Sequence, residues 1–316
     1  MSFVIKNYQS GSVDYFTKDQ KRITTSRYLR KGGTFAPFTK VSDLMLFPTE
    51  EEAINHLKQH HLDNLTYKIM SLEKCVALHS NGNIKFATTF DELNQMLKAT
   101  YDDVTNRIIA IDFQMTKSVK DSLPFVLRVK GATWKKRDKS ISPVIRRQFD
   151  AMAFQPNKMT ESQQLYFLRN FSGSFTDAQQ TYTIENVQKD VVRELQDYNT
   201  LDTMVCWLNQ QDFIAVADEG WFKQLGFIRI INLKPIVNQI MKISDANTLF
   251  QFLNIKSTDK KHDNLHTAQN LLRVYRLYRN IYSQNRDEDW SDVSVDSIRL
   301  AVEPHESFLW NDMFKF

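Results

Sequence analysis

Arg107-Ile108-Ile109-Ala110-Ile111-Asp112-Phe113-Gln114-Met115-Thr116 is the stretch on which the reading of this chain turns. Four apolar residues in a row followed by an acid read as a buried strand that delivers one carboxylate at its C-terminal end. Strand ends of this kind are where α/β folds keep their chemistry. Taken alone, the pattern favours Asp112 as a turn or helix-start residue, because many buried strands end in Asp. The segments on either side have to decide between the two.

The chain has 316 residues, enough for two domains or one large core with additions. A hydrophobic content of 42% with 12% aromatics excludes a disordered chain. No run approaches eighteen apolar residues, and Met1 to Phe16 lacks the basic start and apolar centre of a signal peptide, so a soluble, cytoplasmic protein with no membrane partner is expected. Cys75 and Cys206 stand far apart with no second Cys nearby, which makes them core thiols rather than metal ligands. The net charge of +4 does not by itself argue for nucleic acid; its distribution does more.

Upstream, residues 1–101 read as a separate small α+β domain. Thr49 precedes Glu52 and Thr89 precedes Glu92 at capping-box spacing, each ahead of a helical pattern. Strand-like stretches lie before each helix, Ser2 to Tyr8 and Thr66 to Ser71 among them, and Ser80-Asn81-Gly82-Asn83 reads as a hairpin turn. The expectation is two strand-strand-helix units. His60 and His61 invite a metal reading, but no Cys or carboxylate pattern supports it and a helix-end cation pair accounts for them.

Downstream, Phe125 to Trp134 and Arg147 to Phe154 read as strands joined by an exposed tip, Lys135 to Lys139. Between Arg128 and Arg147 lie eight basic residues against one acid. Charge runs of this kind are usually solvated surface. Arg128, Lys130, Lys135, Lys136, Arg137 and Lys139, with Trp134 as a base platform, also suit a nucleic acid strand. Helices are expected from Ile184 to Tyr198, from Asn209 through Leu225 to a stop at Gly226, and from near His262 to Tyr282 with Arg273, Arg276 and Arg279 facing out. Strands are expected at Thr203–Leu208 and Phe227–Ile231.

This order of elements resembles the DEDDh branch of the 3′-to-5′ exonucleases, the group of RNase T, oligoribonuclease and the proofreading exonucleases. The first family motif, Asp-x-Glu at the end of a strand, meets Asp112-Phe113-Gln114. The second, an Asp after a strand and a polar turn, meets Trp207-Leu208-Asn209-Gln210-Gln211-Asp212. The third, His-x-x-x-x-Asp-Ala, meets His262-Asp263-Asn264-Leu265-His266-Thr267-Ala268. Intervals of 100 and 50 residues between Asp112, Asp212 and His262 suit the family layout. The resemblance covers about residues 105–283 and implies an α/β fold: an RNase H-like mixed sheet flanked by helices, within a domain at 102–283.

Family members hold two divalent ions, Mg²⁺ or Mn²⁺, with four carboxylates, and the His prepares the attacking water. Here Asp112 and Asp212 survive as metal ligands and His262 stands at the base position, while Gln114 and Thr267 occupy the lost acidic positions. The resemblance therefore implies a defective metal site, with weak metal binding if any, on a fold that binds a single-stranded 3′ end or a protein partner without cutting. The alternative is an active exonuclease with an altered site, on DNA or RNA. The extension at 284–316 carries eight acids against two basic residues from Asp287 onward and ends in clustered aromatics. It reads as packing on its own domain, or as docking into a partner. Few Gly among many Asn, Gln, Lys and Phe suits a low-GC bacterium or its phage.

Overall fold

The computed structural model describes residues 2–7, 15–16, 22–23, 26–62, 66–80, 84–102, 108–116, 123–137, 140–170, 175–196, 202–253 and 264–284. The acidic, aromatic extension, His262 and Lys139 lie outside them. The chain divides into two compact units, Met1–Lys85 and Phe86–Phe316. Among the described residues no helix is long and apolar enough to cross a membrane.

In the first unit, β1 (Phe3–Asn7) is followed by a short ribbon of β2 (Tyr15–Phe16) and β3 (Arg22–Ile23). Then come β4 (Arg27–Leu29), β5 (Phe35–Pro37), α1 (Glu50–Gln59), β6 (Tyr67–Ser71) and α2 (Leu72–Ser80). The sheet order is β5-β4-β1-β6, and each neighbouring pair is antiparallel. Alternation along β1 explains the layering. Ile5, with Leu29 and Phe47, packs against Ala53 and Leu57 of α1. Lys6, one residue on, lies over the Tyr28 ring, whose hydroxyl meets His79 Nε2 of α2 at 2.9 Å. The Thr49 hydroxyl starts α1 by accepting from the Glu52 N–H at 3.1 Å, as the sequence spacing requires.

Asn81, Gly82 and Asn83 of the expected hairpin turn lie outside the described residues, and the stretch before them is helical. Leu72, Cys75 and Val76 recur at helical spacing and bury one face of α2, so a helix stands where the turn signal implies a strand. The strand after it pairs elsewhere.

That strand, β7 (Lys85–Ala87), leads into the second unit: α3 (Phe90–Thr100), β8 (Ile108–Met115), β9 (Val126–Arg137), β10 (Ser140–Met152), α4 (Glu161–Asn170), α5 (Phe175–Thr181) and α6 (Ile184–Gln196). It continues with β11 (Thr203–Cys206), α7 (Gln210–Asp218), α8 (Trp221–Leu225), β12 (Arg229–Asn232), α9 (Leu233–Met241), α10 (Ala246–Phe252) and α11 (Asn264–Gln284). The expected boundary at residue 101 therefore moves. The capping box of Thr89 and Glu92 is complete, but the helix it starts buries Leu93, Met96 and Leu97 among residues of the second unit.

Six strands form one mixed sheet in the order β10-β9-β8-β11-β12-β7. β9 runs antiparallel to β8 and to β10, whereas β11 runs parallel to β8 and to β12. Ile108 and Ala110 of β8, with Ala132, Val205 and Ile231 of its neighbours, face a core built with α3, α9, α10 and α11. The opposite face carries Phe113, whose ring meets Trp221 of α8 edge-on at 5.7 Å. A central strand covered on both sides is what the run Ile108 to Ile111 encodes.

Other expectations shift in detail. The helix expected from Asn209 to Leu225 is broken at Gly220, whose φ of 77° suits glycine, and Gly226 ends α8 the same way at 70°. Arg276, expected on the outside of α11, is buried at 8% exposure, because α11 meets β8, β9 and β11 as well as α3 and the apolar stem of an arginine packs with the rest.

Candidate functional site

Asp112 and Gln114 follow Ile108 and Ala110 at every second position of β8, so all four stand on the sheet face that α11 covers. The antiparallel register places Lys130 of β9 directly opposite Asp112, and Arg128 directly opposite Gln114. Side chains at such paired positions meet on one face. Burial pushes the Asp112 carboxyl up to about 7, against the opposing pull of the Lys130 charge. Lys130, expected on an exposed basic hairpin, is buried at 6% exposure, and its charge acts on Asp112. Arg128 is half-buried and Gln114 exposed.

β11 lies beside β8 in parallel register, Thr203 against Ile108 and Val205 against Ala110. The C-terminal ends of both strands therefore sit at one end of the sheet. α7 begins there, four residues beyond Cys206, with Asp212 in its first turn. Asn209 caps this helix: its side-chain oxygen accepts from the Asp212 N–H at 2.8 Å. Burial raises the Asp212 carboxyl, while the hydrogen bonds from Asn209 and the charge of Lys234 oppose the shift. Asp112 and Asp212 thus stand at the same end of neighbouring strands.

A residue that the sequence reading missed holds this turn in place. Asn232, buried at the end of β12, donates from Nδ2 to the Leu208 carbonyl and accepts at Oδ1 from the Leu208 N–H, both at 2.9 Å. Its amide copies a backbone pair and fixes the chain between β11 and α7. Nothing but its position at a strand end could have marked it. A second missed residue is Glu219, in the break between α7 and α8. Its buried carboxylate accepts from Lys158 Nζ at 3.1 Å, Trp221 Nε1 at 3.2 Å, and the Val126 N–H and Gln155 Nε2 at 3.4 Å. Gln188 Nε2 donates to its backbone carbonyl at 2.7 Å.

Thr267 lies half-buried in the opening turns of α11, next to Ala268, which enters the core shared with Ala110 and Val205. His262 lies outside the described residues, as does Lys139. The backbones of Trp134, Lys135, Lys136 and Arg137 continue β9, pairing with Ile108 on one side and with Val144 and Ile145 on the other.

The described donors do not fit a pair of divalent ions. Among the described residues no three His, Cys, Asp or Glu side chains come together. The Asp112 and Asp212 carboxyls resist ionisation through burial, and a buried ammonium shares the face of Asp112. A divalent ion about 4 Å from that ammonium would meet a repulsion of about 8 kcal/mol at an effective dielectric near 20. Gln114 and Thr267, at the positions the resemblance assigns to acids, could offer only neutral oxygens without the charge a hard cation selects for. No protein-family model and no curated protein sequence matches the chain.

Proposed function

We propose that the second unit is an RNase H-like domain of the DEDDh exonuclease kind whose metal centre has been disarmed. In this reading it acts without cutting, as a binder of single-stranded nucleic acid 3′ ends in a regulatory or inhibitory role. The observation that carries the reading is the strand order β10-β9-β8-β11-β12 with β9 alone reversed, together with Asp112 and Asp212 at one end of adjacent parallel strands. An RNase H-like sheet has a five-strand core of that order and sense, which supports the reading, and the family's first two acids belong at strand ends of this kind.

Lys130 supports the non-catalytic half of the reading. A buried cation opposite the first acid contributes positive charge where two metal ions would need negative charge. A phosphodiester, itself an anion, is favoured by the same arrangement.

The test is digestion and binding of 3′-labelled single-stranded DNA and RNA in Mg²⁺ and in Mn²⁺, with Asp112→Ala alongside. Retained full-length strands with salt-sensitive binding are expected. Shortening that Asp112→Ala abolishes would make the protein an active exonuclease instead. Failure to bind either strand at low salt would turn the search toward a protein partner.

A further inference from the structure

In the first unit, His56 lies in the last turn of α1 and His60 caps that helix one turn on, their ring centroids 4.4 Å from each other and their planes inclined at 41°. Residues four apart on a helix share a face, so this proximity is set by the backbone and does not depend on a distant contact. The backbone is well fixed here. Thr49 caps the start of α1, and the last turn is closed by the His60 N–H on the His56 carbonyl at 3.2 Å and the Leu62 N–H on the Leu57 carbonyl at 2.9 Å. The Phe47 ring, 5.2 Å from that of His56, bounds the other side of that imidazole. His60 is exposed and His56 half-buried, so the pair is reachable from solvent.

Each neutral imidazole offers one ring-nitrogen lone pair. Two such nitrogens on rings 4.4 Å apart can reach one ion at the about 2.0–2.1 Å of a zinc–nitrogen bond. Imidazole pairs select borderline ions, whereas Mg²⁺ and Ca²⁺ take oxygen ligands. We propose that His56 and His60 form a two-imidazole site for a divalent transition-metal ion of the zinc, nickel and copper class, with water completing the coordination. His60 thus pairs with the residue one turn behind it instead of with His61, which follows the helix in the left-handed region at φ 55°. Among the described residues no third His, Cys, Asp or Glu joins the pair, which makes the site open and its affinity modest. The bound ion would staple the last turn of α1, so the metal stabilises the first unit by mass action.

The experiment is calorimetric titration of the untagged full chain with NiCl₂ and with ZnCl₂, using MgCl₂ as the control. One Ni²⁺ or Zn²⁺ per chain is expected, with no heat from Mg²⁺. His56→Asn and His60→Asn should each weaken binding by at least about tenfold, while His61→Asn should leave it within about twofold. Circular dichroism would verify that each variant keeps its helix content. The sequence holds one other histidine pair at the same spacing, His262 and His266, so the double variant His262→Asn/His266→Asn belongs in the series. Binding lost in that double variant but kept in His56→Asn and His60→Asn would overturn the proposal. So would the absence of binding up to millimolar metal, or a loss in His61→Asn equal to that in His60→Asn.

Discussion

At Asp112 charge and burial act in opposite directions. Burial raises its carboxyl from 3.8 to about 7, so the folded chain holds this proton more tightly than the unfolded chain does. The stability contributed by protonated Asp112 is complete below pH 3.8 and is lost as pH rises through about 7, amounting to a few kcal/mol at most. Lys130 works against the shift, so Lys130→Met should move the carboxyl midpoint further up. ¹³C NMR of the Asp112 side chain checks the direction, and a midpoint that fell would remove Lys130 from this role. The burial of Lys130 was not legible in the sequence, because a lysine within a basic run signals surface. Only the cross-strand register reveals that it faces an acid. The strand itself was legible, since four consecutive apolar residues have few other uses, but it runs on past Asp112 to Met115 instead of ending there.

At the scale of elements, the turn from β11 into α7 is held by two asparagines. Asn209→Ala removes a helix cap and should cost about 1 kcal/mol in chemical denaturation. Asn232→Ala leaves the buried N–H and carbonyl of Leu208 without partners and should cost more, about 1–3 kcal/mol. A smaller loss for Asn232→Ala than for Asn209→Ala would contradict the bridge described. Glu219→Ala should be costlier still, about 3 kcal/mol or more, because it strips one carboxylate from donors on β9, α8 and the segment around Lys158. Capping signals were readable at this scale because they are local: Thr49 and Thr89 both cap as their spacing requires. α2 was misread because the Asn81-Gly82 pair outweighed the helical spacing of Leu72, Cys75 and Val76. α3 was assigned to the wrong unit because its partners, α9 and α11, lie more than a hundred residues away along the chain.

At the scale of the whole molecule, positive charge is gathered between Arg128 and Arg147, in a chain whose net charge is only +4. If that run meets a single strand, replacing Lys135, Lys136 and Arg137 by Gln should lower the slope of log affinity against log salt by about 0.7 for each phosphate that is no longer neutralised. Filter binding at several salt concentrations measures it. An unchanged slope would mean that these side chains pair with no phosphate.

The Asn232 bridge has a further consequence. Because a buried amide on β12 fixes the start of α7, and hydrogen bonding along β8 fixes Asp112, neither carboxylate depends on the other, or on a metal ion, for its position. Either acid can therefore be replaced without moving the other or loosening the strands and turn that hold both.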